Sequence, residues 1–271
     1  MRDLLEAVAA GEVSPAEAEA RLAGYATGDA GRFDAARETR RGVPEAILGD
    51  GKTPAEAAAL AETAVETTGR AVVTRTDGAQ REAVRRRLAD THPEAEVSVH
   101  ERARVVVVHA ADYSPPDLDA TVGVVTAGTS DAVPAGEAAV IAREMGATVD
   151  RVDDVGVAAL TRIVDQLDRL RSADVLVVAA GREGALPTVV AGLVNTPVIG
   201  LPVSTGYGHG GEGEAAFVGM VQSCSVLSVV NIDAGFVAGA QAGLIARAVD
   251  GAADGEGADA ADPAVASDDS E

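Results

Sequence analysis

The segment DVLVVAAGREGALPTVVAGLVNTPVIGLPV, residues 174–203, decides the fold of this chain. Its two ends, 174–181 and 196–203, are runs of Val, Leu, Ile and Ala, as in strands that are buried on both faces of a sheet. The stretch GALPTVVAGLVN between them has the length of a short helix. A strand, a helix and a second strand in this order predict a βαβ unit with parallel strands.

The same alternation continues on both sides of this segment. Further strands are predicted at TVGVVTAG (121–128), at the start of ATVDRVDDVG and at VLSVVNID (226–233). Helices are predicted in SDAVPAGEAAVIAREMG, VAALTRIVDQLDRLRSA, AAFVGMVQSC and GFVAGAQAGLIARAV. Repeated βα units predict an α/β fold with a three-layer open parallel sheet, and such sheets bind ligands at the carboxyl ends of their strands.

The chain before this sheet predicts a smaller α/β region. Residues 1–23 are typical of two short helices, and Thr53-Pro54-Ala55-Glu56 is a capping signal that starts another. Strand-like runs follow at 71–76 and 104–110. The Pro-rich stretch ADYSPPDLDA then indicates a domain boundary near residue 115.

Three regions are therefore expected along the chain. An N-terminal helical and α/β domain covers 1–115, and a catalytic domain covers 116–249. Residues 250–271 are mostly Asp, Glu, Gly and Ala, a composition that predicts a disordered acidic tail.

The amino-acid composition limits which binding partners and which cellular compartment are expected for this protein. The net charge is -21 and the isoelectric point is about 4.5, so we expect neither nucleic acid nor an anionic membrane as partner. The sequence shows no signal peptide and no membrane-spanning run, which predicts a cytoplasmic protein. Lys52 is the only lysine. Such an acidic balance favours a salt-rich cytoplasm, although GC-rich codon usage together with the acidic tail would also explain it.

The first candidate site is Ala127-Gly128-Thr129-Ser130-Asp131, between a strand and a helix. Free backbone N–H groups, a glycine and a positive helix end suit a phosphate group, and Asp131 suits ribose hydroxyls. Ser130 acting as a helix cap remains an equal alternative at this stage.

Two further candidates follow later strands. Gly181-Arg182-Glu183 again joins a buried strand to a helix, although an exposed ion pair explains it as well. The Gly-rich loop with Ser204, Tyr207 and His209 has the composition of a segment that closes over a ligand, or of a flexible connector.

Cys224 is the only cysteine, which rules out an internal disulfide or a multi-cysteine metal site. A cysteine at the end of a helix acts as a nucleophile if the pKa of its thiol is depressed. A small buried hydrophobic residue is the commoner role of a lone cysteine.

Together these segments resemble the LarB family, the pyridinium-3,5-biscarboxylic acid mononucleotide synthases of nickel-pincer nucleotide biosynthesis. The blocks that carry the resemblance are RRGVPEAILGDGKT, TAGTSD, AAGREGALPTVVAGLV, TPVIGLPVSTGYG, GMVQSC and VVNIDAGF. The resemblance spans roughly residues 1–248. The TAGTSD block is also similar to that of the aminoimidazole-ribonucleotide (AIR) carboxylases and mutases, the PurE family, and implies a PurE-like or flavodoxin-like sheet.

The resemblance implies a reaction and roles for individual residues. The expected substrate is nicotinic acid adenine dinucleotide, which is carboxylated with CO2 or bicarbonate and cleaved to release AMP, with Mg²⁺ assisting. Cys224 is the implied nucleophile, and Glu183 an implied proton acceptor or metal ligand. Gly128, Thr129, Ser130, Gly181 and Arg182 are expected to bind phosphate and nucleotide, with Asp131 on the ribose; Lys52 is expected to reach the anionic substrate, and Ser204, Tyr207 and His209 to close over the ring. The resemblance also implies a homo-octamer.

Two alternatives stay open. Members of the PurE family carry a histidine in a Ser-Ala-His-Arg segment after the second strand, where this chain has 150–156, DRVDDVG, without histidine. That departure argues against AIR carboxylation, the first alternative. A non-catalytic nucleotide-binding module is the second, and it leaves Cys224 unexplained.

Overall fold

The structure is a computed structural model that describes residues 2–28, 30–206 and 208–258. It confirms the α/β class, with a parallel sheet in the second half of the chain and a smaller domain with a mixed sheet before it. No helix within these ranges is both long and apolar enough to cross a membrane.

The C-terminal domain is built on five parallel strands. In chain order they are β7 (Thr121–Thr126), β8 (Thr148–Val152), β9 (Val175–Ala180), β10 (Val198–Pro202) and β11 (Ser228–Val229). Their order in the sheet is β11-β10-β9-β7-β8. All six residues of β9 are buried, as the near-continuous apolar run predicts for a central parallel strand.

Helices cover both faces of this sheet. They are α6 (Ala132–Glu144), α7 (Thr161–Val164), α8 (Leu167–Ser172), α9 (Ala185–Ala191), α10 (Glu214–Val221) and α11 (Gly235–Ala258). Helices α6 and α11 pack together on one face, where Gly239 allows α11 to approach the Ala138 backbone. Alanine and glycine at this contact let the two helices come close with little side-chain volume between them.

The strands of the N-terminal domain are β1 (Ala26–Gly28), β2 (Gly31–Phe33), β3 (Ile47–Leu48), β4 (Arg70–Thr74), β5 (Glu96–His100) and β6 (Val105–His109). Its helices are α1 (Arg2–Ala10), α2 (Pro15–Ala23), α3 (Arg37–Arg41), α4 (Pro54–Thr68) and α5 (Gly78–Thr91). Four of the strands form a mixed sheet of order β3-β4-β6-β5, and β1 and β2 form a short hairpin. Thr53 and Glu56 form the predicted capping box at the start of α4. The predicted boundary near residue 115 falls between β6 and β7.

Several elements differ from the sequence-based prediction. The helix predicted over 157–173 is broken into a 3₁₀ turn, α7 and α8, because only Ile163 and Leu170 are fully buried while Leu160 and Val164 remain about half exposed. A helix without a continuous apolar face gains little from packing against a sheet. The last strand, predicted within 226–233, has only two ladder residues, Ser228 and Val229, which pair with β10. Strands β1, β2, β3 and β5 and helix α3 were not predicted.

The final helix continues to Ala258, nine residues into the segment 250–271 that was predicted as a disordered tail. The helix-forming alanines of this segment are compatible with that extension. Residues 259–271 lie outside the described residues.

A buried polar cluster joins the two domains. Arg70, whose side chain is 4% exposed, donates to Glu38 at 2.6 Å and to the backbone carbonyl of Glu144 at 2.5 Å. The Glu144 carboxylate also contacts His109 at 2.9 Å. Tyr113 in the linker stacks beside both Arg70 and His109, and burial raises the pKa of its hydroxyl to about 12. Removing the cation would leave the buried Glu144 carboxylate with His109 as its remaining side-chain partner.

We therefore expect Arg70→Ala to lower the free energy of unfolding by about 3 kcal/mol, the cost typical of breaking a buried ion pair on one side. Arg85→Ala is the matched control, because Arg85 and its partner Glu82 are 60% and 64% exposed. Urea unfolding of both variants checks this. A loss for Arg70→Ala no larger than for the control would contradict it.

Candidate active site

A cavity of about 550 Å³ opens at the carboxyl edge of the parallel sheet. The loops that follow four of the strands line it: 127–131 after β7, 156–158 after β8, 180–186 after β9 and 205–206 after β10. Parallel strands all end at the same edge, so these separate segments necessarily meet there. The volume lies in the range of ordinary small-molecule sites.

The loop after β7 is closed by Asp131. Its carboxylate accepts the Gly128 N–H at 2.8 Å, and the Asp131 N–H returns to the Gly128 carbonyl at 3.2 Å. The residue is 2% exposed, and this burial raises the pKa of its carboxyl although the N–H bonds oppose the shift. Gly128, Ser130 and Asp131 line the cavity, whereas Ser130 makes no side-chain cap to α6. The capping alternative for Ser130 is therefore wrong.

The loop after β8 forms a wall that the sequence analysis did not predict. Thr126 Oγ1 donates to Asp153 and accepts the N–H of Asp154, each at 3.1 Å, which ties this loop to the end of β7. Gly156 follows and packs against the Ala127 carbonyl, so that 156–158 face the cavity. The signal in the sequence for this wall is Gly156, which follows a predicted strand at the end of the histidine-free stretch 150–156.

Arg182 and Glu183, after β9, both line the cavity and are exposed. The backbone of Arg182 is left-handed, with φ of 51°. Gly206 packs directly on it, since a Cβ there would lie 2.9 Å from the Arg182 nitrogen. The two predicted segments, 181–183 and the Gly-rich loop, are thus brought into contact.

The Gly-rich loop contributes fewer of its predicted residues than expected. Thr205 and Gly206 line the cavity, and the Ser204 N–H donates to Asp233 at 2.9 Å, which fixes the start of the loop. His209 is exposed and does not line the cavity. Tyr207 lies outside the described residues.

Left-handed backbone in residues other than glycine recurs at the ends of the strands. Asp154 after β8, Arg182 after β9 and Asp233 after β11 have φ values of 61°, 51° and 54°. Each such residue is strained, and strain of this kind concentrates at functional sites.

Cys224 is exposed, in the turn between α10 and β11, and does not line the cavity of its own chain. Its neighbours Ser223 and Ser225 both hydrogen-bond Thr188, one turn beyond the start of α9 that faces the cavity. Exposed valines surround this turn: Val218, Val221 and Val226 are 42%, 57% and 94% exposed. The sulfur is therefore accessible rather than packed in the core.

Lys52 also lies away from the cavity. Its Nζ donates to the Leu48 carbonyl at 2.8 Å within its own loop. Arg40, also in the N-terminal domain, is held by both carboxylate oxygens of Asp34. No group of three or more His, Cys, Asp or Glu side chains within 2–28, 30–206 and 208–258 is placed to hold a metal ion.

Comparison with known proteins assigns both domains. A family model described as the LarB/PurE-like N-terminal domain matches residues 25–110, and one described as AIR carboxylase matches residues 121–262. The chain belongs to the LarB family. Its pairing of the two domains confirms the family expected from the sequence blocks and indicates a carboxylase-type enzyme.

Relatives of this LarB-family chain include the uncharacterized protein MJ0165 of Methanocaldococcus jannaschii. The two are 35% identical over 255 residues, which cover 91% of this chain and 97% of that protein. Among solved structures, Treponema denticola PurE matches with a TM-score of 0.39 and 19% identity over 51% of this chain and 85% of its own. A second structure, of a PurE2 variant from the same organism, matches with a TM-score of 0.36 and 17% identity over 54% of this chain and 96% of its own.

Helix α10 sets the position of the Glu183 loop in this LarB-family chain. A Cβ on Gly219 would collide with the Glu183 carbonyl oxygen. We expect Gly219→Ala to destabilise the protein by about 1–3 kcal/mol, because overpacking outweighs the better helix propensity of alanine. Gly251→Ala is the control, since a Cβ at Gly251, also helical, meets nothing within 4 Å. Equal unfolding midpoints for the two variants would contradict the packing argument.

The raised pKa of Asp131 gives a pH-dependent prediction. The native state binds the Asp131 proton more tightly than the unfolded state, so this group's contribution is full at low pH and is lost as pH rises through the raised pKa. Asp131→Asn keeps an acceptor for Gly128 but cannot ionise. We expect the stability of the natural protein to fall relative to Asp131→Asn as pH rises above about 4.

Urea midpoints at a series of pH values and constant salt measure this difference. The exposed Asp112→Asn is the control. A difference between the natural protein and Asp131→Asn that stays constant, or changes in the opposite direction, would show that burial does not dominate.

Proposed function

We propose that this chain carboxylates the pyridinium ring of nicotinic acid adenine dinucleotide at C5 and hydrolyses the phosphoanhydride. The products would be pyridinium-3,5-biscarboxylic acid mononucleotide and AMP. The observation that carries the proposal is the cavity between the 127–131 and 180–186 loops in a chain of this family. It combines a helix start suited to phosphate with an exposed carboxylate, Glu183.

The phosphate end of the substrate fits the loop after β7. The N-terminus of α6 supplies a positive dipole end, and backbone N–H groups of the preceding turn supply donors. Gly128 and Ser130 face the cavity with no long side chain to obstruct a phosphoryl group. The carboxylate of Asp131 is engaged by the Gly128 N–H, so its main part is to hold the loop closed.

The ring chemistry needs a nucleophile, for which we propose Cys224. The thiolate adds to C4 of the electron-poor pyridinium and makes C5 an enamine carbon. C5 then forms a bond to CO2, the C5 proton leaves to a base, and expulsion of the thiolate restores the aromatic ring. Each step is easier than direct carboxylation of a cationic ring. Glu183, exposed on the cavity wall, is the proposed proton acceptor.

Mg²⁺ fits this site through the substrate rather than through a protein cage. The ion is commonly bound by one or two carboxylates together with substrate phosphates and water. Glu183 offers an exposed carboxylate on the cavity wall, while Asp131 is already engaged. A bound Mg²⁺ would neutralise charge on the phosphates.

The position of Cys224 implies that the site is completed by a second copy of the chain. The sulfur is exposed, lies outside its own cavity and is surrounded by exposed valines, a surface that association would bury. Closed symmetric oligomers allow such a segment to reach a neighbouring cavity in every subunit. This agrees with the homo-oligomer that the sequence resemblance implies.

The reaction is tested with nicotinic acid adenine dinucleotide, isotopically labelled bicarbonate and Mg²⁺ at high salt. We expect AMP and a labelled dicarboxylated mononucleotide from the natural protein, and neither from Cys224→Ala. Labelled product from aminoimidazole ribonucleotide instead would favour AIR carboxylation, which the AIR carboxylase match supports and the missing histidine after β8 opposes. Full activity of Cys224→Ala would reject the nucleophile.

Sharing of the site between copies is tested by mixing two inactive variants. Cys224→Ala keeps an open cavity, and Ser130→Trp fills the cavity while keeping the cysteine. Co-expression should restore activity well above that of either variant alone, because some mixed pairs contain one intact cavity and one intact cysteine. Failure to restore activity in verified mixed oligomers would place the cysteine and its cavity in the same chain.

A further inference from the structure

Arg102 of the N-terminal domain contacts the 127–131 loop of the cavity. This residue lies in the 3₁₀ turn Glu101–Ala103, between β5 and β6. Its guanidinium Nη2 donates to the backbone carbonyl of Thr129 at 2.7 Å. Ala103 in the same turn packs against Gly136 of α6, where a Cβ would lie 2.8 Å from the alanine methyl group. The turn is thereby seated on the helix that follows the phosphate loop.

The hydrogen bond to Thr129 fixes the orientation of a peptide group in that loop. In a planar trans peptide the C=O and the following N–H point in opposite directions. The Thr129 carbonyl points out to Arg102, so the Ser130 N–H points the other way. Gly128, Ser130 and Asp131 line the cavity and Thr129 does not, as expected if that N–H lies on the cavity side. A cationic donor bonded to the carbonyl oxygen also polarises the peptide group, and this makes the N–H of the same peptide a stronger hydrogen-bond donor.

A second arginine of the N-terminal domain contacts Asp233, which holds the start of the Gly-rich loop. Arg75 Nη2 donates to the Asp233 carbonyl at 3.0 Å, and the Asp233 carboxylate accepts the Ser204 N–H at 2.9 Å. Ser204 begins the Gly-rich loop of the cavity. One arginine of the N-terminal domain thus bonds a cavity loop directly, and the other bonds a residue that holds a second cavity loop.

We propose that the N-terminal domain is a positioning element for the cavity, and that Arg102 sets the affinity of the 127–131 loop for a phosphoryl or pyrophosphoryl group. Arg102 does not line the cavity, so it acts through the Thr129–Ser130 peptide. The inference rests on the proposed function in one respect, the binding of phosphate at this loop. It adds a role for a domain whose predicted contact residue, Lys52, lies away from the cavity.

The probe is inorganic pyrophosphate, titrated calorimetrically into the full-length natural protein, Arg102→Gln, Arg102→Lys and Arg171→Gln. Arg171 is the matched control, because it is an exposed arginine that donates to a backbone carbonyl, Leu193, away from the cavity. We expect Arg102→Gln to weaken pyrophosphate binding about tenfold, as for loss of one charge-assisted bond. Arg102→Lys should recover part of the affinity, and Arg171→Gln should leave it unchanged.

Turnover separates positioning from a general loss of structure. In Arg102→Gln the KM for the dinucleotide should rise while kcat changes little, with the thermal midpoint equal to that of Arg171→Gln. Unchanged pyrophosphate affinity in Arg102→Gln, with binding intact in the natural protein, would overturn the inference and leave the proposed function standing. No pyrophosphate binding by the natural protein would overturn both. The inference would also be overturned if Arg102→Gln lowered the thermal midpoint together with the pyrophosphate affinity and Arg102→Lys restored neither. Arg102 would then have only a structural role.

Discussion

Burial of the three central parallel strands, β7, β9 and β10, is the constraint on which the rest of this structure depends. Strands that are apolar on both faces require helices above and below, and every crossover returns the chain to the same edge. The segments after β7, β8, β9 and β10 consequently meet around one cavity although they lie far apart in the sequence. A rigid sheet can also hold left-handed backbone at Asp154, Arg182 and Asp233, which an isolated loop would relax.

Much of this arrangement could be predicted from sequence, and the exceptions have physical causes. Long Val-rich runs define their strands unambiguously, and glycines after them mark Gly128 and Gly181 as cavity residues. The wall at 156–158 was missed because Gly156, Val157 and Ala158 carry no functional group that would single them out. Asp131 was identified, but its engagement with Gly128 depends on loop closure that spacing does not reveal. The helix predicted over 157–173 is broken because too few of its apolar side chains are buried, and composition alone does not reveal which side chains become buried.

The predicted cysteine and lysine show a different limit. A sequence places residues along one chain, and the resemblance that named Cys224 and Lys52 carries no information about which copy or which domain presents them. Cys224 is accessible but outside its own cavity, and Lys52 is bonded to Leu48. Arg102 and Arg75, which do connect the N-terminal domain to the cavity loops, were unremarkable in sequence because their role is a contact with backbone carbonyls.

The site that we propose combines the 127–131 loop held by the N-terminal domain, the Glu183 carboxylate on the cavity wall and the Cys224 sulfur of a second copy of the chain. Its central feature is a covalent bond between this sulfur and the substrate ring. Intact-mass spectrometry of the protein mixed with nicotinic acid adenine dinucleotide in the absence of bicarbonate tests that bond directly. We predict a mass increase equal to the bound substrate, mapped by peptide analysis to Cys224 and absent from Cys224→Ser. No adduct on a protein that forms product once bicarbonate is added, or an adduct on another residue, would contradict the account.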